Sequence, residues 1–433
     1  MDYKELQKWD DKLGKMAKSY GLDWYPIIYE VCDFYDMIGN ISYTGMPSHY
    51  QHWSFGKTFE RTHLLYNMGQ QGLPYEMIIN SNPSIAYLMR ENHMSLQVLI
   101  MAHCIGHSDF FKNNRMFENT KSEDTILKFK KASERVKSYI QDPSIGIDAV
   151  EKILDAAHSM KYQCIRHSCV KKRTHKELKE YYTKLIKQDK DKKYEHINID
   201  KIPLEPDFNL LAFIRDHNTL LEDWEKDLIT IVIEETNYFL PQAATKIMNE
   251  GWASFWHYKL IHELKLPPGY HLSCIKSHNQ VIRPHIGGIN PYHIGFTIFK
   301  MIEEKYGLDE CFFVRKTFHD ESFLRTYLDD ELCREFNLYS YSKKRKKWSI
   351  DEISDEEGWK LVRNDFLMNI GLNPIPKIYV DNLRKDNTLC LKHEHDDRDL
   401  DIDDAYKVLE HIKDLWYDEV MLTTTLEDEP FEF

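Results

Sequence analysis

From residue 2 to about residue 330, apolar side chains recur mainly at helical spacing, and alternating runs are few. That period commits most of the chain to helices that bury one face against other helices, which excludes a sandwich or barrel. Expected helices cover about 2–20, 23–38, 83–93, 94–112, 123–140, 147–160, 175–188, 208–217, 219–238, 241–265, 292–307 and 320–329. The helix expected over 241–265 opens at Pro241, a residue suited to the first helical position. The stretch "GMPSHYQHWSFGKTFERTHLLYNMGQQGLPYEMIINSNPS" mixes turn residues with a β-like run, "YEMIIN", and reads as an ordered loop region with a hairpin.

After about residue 331 the pattern changes. "LYSYSKKRKKWSI" alternates, "DEEGWKLVRNDFLMNIG" is helical, "PKIYVDNL" and "TLCLKHEH" are strands about an "RKDN" turn, "DIDDAYKVLEHIKDLWY" is a helix and "EVMLTTTL" a strand. The expected fold class is therefore mainly α, a large multi-helix domain (1–330) with a small C-terminal α+β module (331–433). Within the helical part, about 175–207 shifts to Lys, Asp and Glu and then Pro, as a surface insertion or linker does.

A chain of 433 residues with 21 Phe, 26 Tyr and 9 Trp can bury a sizeable core and is not a disordered one. Its net charge of −13 argues against nucleic acid, which needs a basic face. The local basic runs, Lys171 to Arg173, "KQDKDKK" and "KKRKK" (Lys343 to Lys347), read as solvated surface. The 8 cysteines form no CxxC pair and no regular framework, which fits a reducing compartment. The N-terminus lacks the apolar core of a secretion signal, and no segment has the apolar length of a membrane helix. A cytoplasmic protein with no membrane span is expected.

"SLQVLIMAHCIGHSDFF" is apolar enough for a buried helix, on which His103 and His107 stand one turn apart on one face. Two imidazoles at this spacing commonly supply two zinc ligands from one rigid element. In the zincin pattern the residue after the first histidine is a glutamate acting as general base, whereas here it is Cys104. With 21 histidines, chance alone supplies roughly one such pair, so the motif needs support. "NEGWAS" offers it: Glu250 precedes small residues on a second helix, and His257, seven residues on, can share its face. The metal candidates are thus His103, His107, Glu250 and His257, with zinc the expected ion. The structural alternative is an aromatic core helix around Trp252, Phe255 and Trp256, with Glu250 held by a hydrogen bond or an arginine.

A hydrolytic site would need another base, for which Glu91, Asp109, Glu234 and Glu235 are candidates. Cys104, offset by about 100° on a helix, is the least suited of the cluster to reach the metal. Asp155 with His158, and Arg283 with His285, are further polar groups in apolar or turn settings. No phosphate-binding glycine loop and no G-x-S-x-G elbow is present; Gly287 and Gly288 belong to a turn.

Taken together, "GMPSHYQHWSFGKTFER", "YEMIINSNPSIAYLMRENHMSLQVLIMAHCIGHSDFFKNN", "PQAATKIMNEGWASFWHY", "NPYHIGF" and "FHDESFL" closely resemble the stage V sporulation protein R (SpoVR) family. The resemblance runs from about residue 5 into the C-terminal module. It implies a bacterial cytoplasmic protein tied, in spore formers, to formation of the peptidoglycan cortex; it supplies no catalytic residues. Two functions follow as expectations: a zincin-like peptidase or amidase, or a non-enzymatic factor binding proteins of sporulation or stress response. A purely structural metal joining two helices is a third.

Overall fold

The computed structural model describes residues 2–68, 76–166, 173–188, 207–285, 289–344, 347–355 and 358–433. Two compact units emerge, each built from two chain segments: Met1–Ser138 with Tyr238–Pro374, and Tyr139–Asn237 with Ile375–Phe433. The change of pattern near residue 331 falls inside the first of these.

The first unit begins with α1 (Tyr3–Ser19), β1 (Ile27–Cys32), α2 (Phe34–Ser42), α3 (Trp53–Asn67), β2 (Glu76–Ile79), β3 (Ser84–Met89) and α4 (Met94–Asn113). A 3₁₀ turn (Arg115–Thr120) leads into α5 (Thr125–Gln141). The second unit takes α6 (Gly146–Ser159), α7 (His175–Gln188), α8 (Leu210–His217) and most of α9 (Asp223–Ala244). The chain then returns to the first with α10 (Lys246–Glu263), α11 (Pro268–Val281), α12 (Pro291–Tyr306), α13 (Leu308–Thr317), α14 (Asp320–Tyr327), α15 (Asp330–Glu335), β4 (Tyr339–Lys344), β5 (Lys347–Ile353) and α16 (Trp359–Met368). It ends in the second unit with β6 (Ile378–Leu383), β7 (Leu389–His393), α17 (Ile402–Trp416), β8 (Val420–Leu426) and β9 (Glu429–Glu432). The protein is mainly α. Its C-terminal sheet, in the order β6-β7-β8-β9, pairs β7 and β8 in parallel through the α17 crossover.

α4 is the spine of the first unit: every residue from Ser95 to Phe111 is buried, as expected of a helix apolar on all sides. α10 packs between α4 and α12, and glycine permits the approach. A Cβ on Gly106 would lie 2.7 Å from the Ala253 Cα; one on Gly251 would lie 2.4 Å from the Gly295 backbone. Trp252, Phe255, Trp256 and Phe299 fill the space around these contacts. α10 has no side-chain cap of its own. Instead the Asp320 carboxylate, from the "FHDESFL" stretch, accepts from the Ile247 and Met248 N–H groups, each at 2.8 Å. That anchors the turn carrying Glu250.

A three-stranded sheet, order β1-β3-β2, lies against α4, with β1 parallel and β2 antiparallel to β3. Residues 27–32 and 84–89 are thus strands where helices were expected; their β-branched and aromatic side chains suit a pleated surface better than their spacing suggested. "YEMIIN" forms β2 as expected. Residues 53–67 are helical rather than loop, although none of that helix's residues is buried. Pro241 sits inside α9, and the helical run restarts at Lys246. The expected linker beyond Gln188, together with Gly287 and Gly288, lies outside the described residues. No helix among the described residues is long and apolar enough to cross a membrane.

Candidate metal centre

α4 and α10 run antiparallel, with His103 beside His257, Gly106 against Ala253 and His107 beside Asn249 and Glu250. This register sets both imidazoles of α4 against the Glu250 carboxylate. Glu250 Oε2 lies 3.3 Å from His107 Nε2 and 3.5 Å from His103 Nε2. Glu76, the first residue of β2, adds a fourth donor from the sheet, its Oε1 3.6 Å from His103 Nε2. One donor atom from each of Glu76, His103, His107 and Glu250 lies within 4.8 Å of all the others.

The buried atoms at the middle of this group are unsatisfied. His103 Nε2 and Glu250 Oε2 are shielded from solvent, yet neither makes a hydrogen bond of good geometry; Glu250 Oε2 has the two imidazoles 3.3 and 3.5 Å away as ion-pair neighbours. An orphaned buried nitrogen and carboxylate oxygen are costly unless something occupies the space between them. The outward-facing atoms of His103, His107 and Glu250, by contrast, are held. His107 Nδ1 bonds Asn249 Oδ1 at 2.9 Å, and Glu250 Oε1 accepts from Lys246, one turn back on α10. His103 Nδ1 bonds His257 Nδ1 at 2.8 Å, and His257 Nε2 bonds His278 Nδ1, on α11, at 2.7 Å. A ligand histidine braced through its second nitrogen is the usual arrangement around a protein-bound metal.

Charge follows the same geometry. Burial alone would raise the Glu250 carboxyl, but the positive charges of Lys246 and His107 outweigh it and hold the group well below the usual carboxylate range. Burial also works against a charged His107, and there the Glu250 carboxylate prevails and raises its pKa. His257 is driven the other way, first by burial and then by the neighbouring imidazoles, so it stays neutral. Tyr292 stacks on His103 with ring centroids 6.0 Å apart. Burial and the charges of Glu250 and Glu76 keep its hydroxyl protonated.

Of the residues expected from sequence, the structure brings His103, His107 and Glu250 together and places His257 behind His103 rather than among the four donors. Asp109 is buried on another face of α4, two residues past His107. It accepts from the Asp23 N–H and Trp252 Nε1, both at 2.8 Å, and sits 3.5 Å from Arg315 Nε. Burial pushes its carboxyl up to about 6. Glu91 is exposed in the turn after β3, and Glu234 and Glu235 belong to the second unit. Cys104 is fully buried, with its thiol held neutral by burial. Glu76, Lys246, Asn249, His278 and Tyr292 were not foreseen. The acid heading an otherwise apolar strand was the one available signal for Glu76.

The family model described as SpoVR like protein matches residues 1–374, and that described as SpoVR-like C-terminal domain matches residues 376–427. A relative from Escherichia coli (strain K12), named Uncharacterized protein YcgB, is 34% identical over 472 aligned residues, covering 97% of this chain and 92% of its own. No solved structure matches.

Proposed function

The chain belongs to the SpoVR family, and from that premise we propose that His103, His107 and Glu250 hold a divalent metal, of which zinc suits the donors best, and that Glu76 supplies the general base of a metal-dependent amide hydrolase. The observation that carries this reading is the pair of orphaned buried atoms, His103 Nε2 and Glu250 Oε2, pointing into the space shared with His107 Nε2 and Glu76 Oε1.

Each side chain then has a task. The imidazoles present Nε2 inward because their Nδ1 atoms are engaged by His257 and Asn249. Lys246 engages one Glu250 oxygen and leaves the other for the centre. A bound divalent ion would supply Lewis acidity and an acidified water. Glu76, whose side chain keeps 14% exposure, is the most open of the four donors and stands where a carboxylate can take a proton from the attacking water. That is the service a glutamate at position 104 would give in a zincin. The Tyr292 hydroxyl, kept protonated, can donate to an oxyanion developing at the attacked carbonyl. The family's link to sporulation directs the substrate expectation to amide bonds of peptidoglycan stem peptides, acted on in the cytoplasm.

Elemental analysis of untagged protein tests the site, and mass spectrometry of stem-peptide digests tests the reaction. About one zinc per chain is expected, lost in the His103→Ala/His107→Ala double variant; Glu76→Gln should keep the metal and lose hydrolysis. Failure of wild-type protein to take up zinc, or full activity of Glu76→Gln, refutes the reading. Because four donors converge, a closed structural site is the second reading. Its mark would be loss of zinc from Glu76→Gln together with a lower melting temperature.

A further inference from the structure

Three histidines from three different helices form one hydrogen-bonded row. It runs from His103 on α4 through His257 on α10 to His278 on α11, with contacts of 2.8 and 2.7 Å. All three are buried, at 3%, 1% and 4% exposure. The metal reading asks of His257 only that it engage His103 Nδ1 and asks nothing of His278, and neither touches Glu76, His107 or Glu250 through a hydrogen bond or ion pair among the described contacts.

Hydrogen-bond counting restricts this row to two states when every imidazole is neutral. A neutral imidazole carries one N–H and one bare nitrogen, so each contact needs a donor on one side only. In the first state His103 carries its proton on Nε2, among the carboxylates. It then accepts at Nδ1 from His257 Nδ1–H, and His257 accepts at Nε2 from His278 Nδ1–H. In the second state His103 carries its proton on Nδ1 and donates to His257 Nδ1. His257 donates from Nε2 to His278 Nδ1, and His278 bears its proton on its own Nε2. Any mixed state leaves one contact with two donors or with none. Only the second state bares His103 Nε2, the atom that faces Glu250 and Glu76.

We propose that His257 and His278 are positioning residues that fix His103 in its Nδ1–H tautomer, so that the whole row switches together when a divalent cation is taken up at His103 Nε2. The inference rests on the metal reading of the four-donor cluster. Three observations support it. The two contacts join ring nitrogens that both states share, so a proton moved at one ring forces the other two rings to follow. His257 and His278 are buried with no carboxylate partner among the described contacts, a setting that disfavours a charged imidazole and keeps one bare nitrogen on each ring. Finally, His278 is gripped between the rings of Tyr258 and Phe296, at centroid distances of 5.0 Å each, so its orientation is set by packing. In the proton balance no ring changes charge. The His103 Nε2 proton leaves toward solvent, one proton crosses each of the two contacts, and His278 Nε2 gains one from solvent.

The test is zinc affinity, measured by competition with a chromophoric chelator, for wild type and for His257→Leu, His257→Asn and His278→Leu. Asn places an acceptor oxygen where His257 Nδ1 stood, whereas Leu cannot accept. His257→Leu is expected to bind zinc about 10–100-fold more weakly and His257→Asn within a few-fold of wild type, as for other outer-shell partners of ligand histidines. His278→Leu should fall between them. Melting curves of zinc-free protein check that each variant folds. Should His257→Leu fail to fold, long-range ¹H–¹⁵N spectra of the wild-type histidines give the answer directly, with the ¹⁵N pattern of His257 and His278 inverting on zinc addition. Equal affinity of folded His257→Leu and wild type, or unchanged tautomers on zinc addition, overturns the proposal while leaving the site intact. Absence of zinc binding by wild type overturns the metal reading itself.

Discussion

Replacing Gly251 with alanine tests how tightly the candidate centre depends on helix packing. The new Cβ would stand 2.4 Å from both the carbonyl carbon and the Cα of Gly295. Comfortable carbon–carbon contact begins at about 3.5 Å, so α10 and α12 must part by about 1 Å. Neither partner has a side chain that can turn aside, which places the cost near the upper end of the roughly 1–3 kcal/mol usual for overpacking. Alanine returns about 0.5–1 kcal/mol of helix propensity, leaving a net loss of about 2 kcal/mol. For a unit of this size that lowers the melting temperature by roughly 4–8 °C in a circular dichroism scan. Glu250 is the preceding residue, and a ligand displaced by more than about 0.5 Å loses its geometry, so zinc affinity should fall about tenfold or more. Gly39→Ala is the control: the position is helical, a Cβ there would meet no heavy atom within 4 Å, and the change should stabilise by a few tenths to about 1 kcal/mol. If Gly251→Ala melts within about 1 °C of wild type and binds zinc normally, close approach of these helices does not hold the site.

Three further outcomes are expected. His107 has a raised pKa, so its cation contributes stability that is complete below its unfolded value near 6.5 and is lost as pH rises through the folded value. The lowered Glu250 carboxyl contributes above about 4.5 and loses that as pH falls through its folded value. Metal-free protein should therefore gain most from this pair between about pH 4.5 and 6.5, whereas the melting-temperature gain on adding zinc should grow with pH, because the metal needs a neutral imidazole. Differential scanning calorimetry of wild type and His107→Gln, with chelator and with zinc, checks both trends; a zinc gain that shrinks as pH rises contradicts them. Asp320→Ala should cost about 1–2 kcal/mol by uncapping α10, with Asp320→Asn milder because one acceptor remains; equal losses would show the cap to be unimportant. Cys104→Ala should leave zinc content unchanged at a cost of about 1 kcal/mol or less, while Cys104→Glu should not rescue hydrolysis in a Glu76→Gln background, since position 104 is fully buried and its thiol is not among the four converging donors. Rescue there would place the base on α4 after all.

The helical body was readable because its apolar period is long and repeated, and α4 and α12 needed nothing else. Two of the errors fall where short segments were assigned by spacing alone; α3 and α11 were missed because their faces carry too few buried apolar residues to show a period. "IIYEVC" and "SIAYLM" carry too few residues for a period of about 3.6 to be told from one of 2, and their parallel pairing is a tertiary fact. The restart at Lys246 was equally hidden, because the group that caps α10 comes from Asp320, more than 70 positions downstream.

The same distinction separates the legible and illegible parts of the site. Spacing within a helix fixes which residues share a face, so His103, His107 and Glu250 could be proposed together. It says nothing of depth along that face. Seven residues on α10 amount to about 10 Å of rise, too far for Glu250 and His257 to serve one ion from successive positions. In an antiparallel pair that rise carries His257 past His103 to its far nitrogen, and the same geometry converts an expected ligand into a brace. The missing base illustrates the converse. Candidates near the histidines in sequence, Glu91 and Asp109, fail because the turn after β3 faces solvent and because two residues on a helix rotate a side chain by about 200°. The carboxylate that does arrive, Glu76, is brought by the antiparallel pairing of β2 with β3 against α4. A chain that lacks glutamate after its first histidine can therefore still gather two histidines and two carboxylates at one place, provided that a strand delivers the acid that the helix omits.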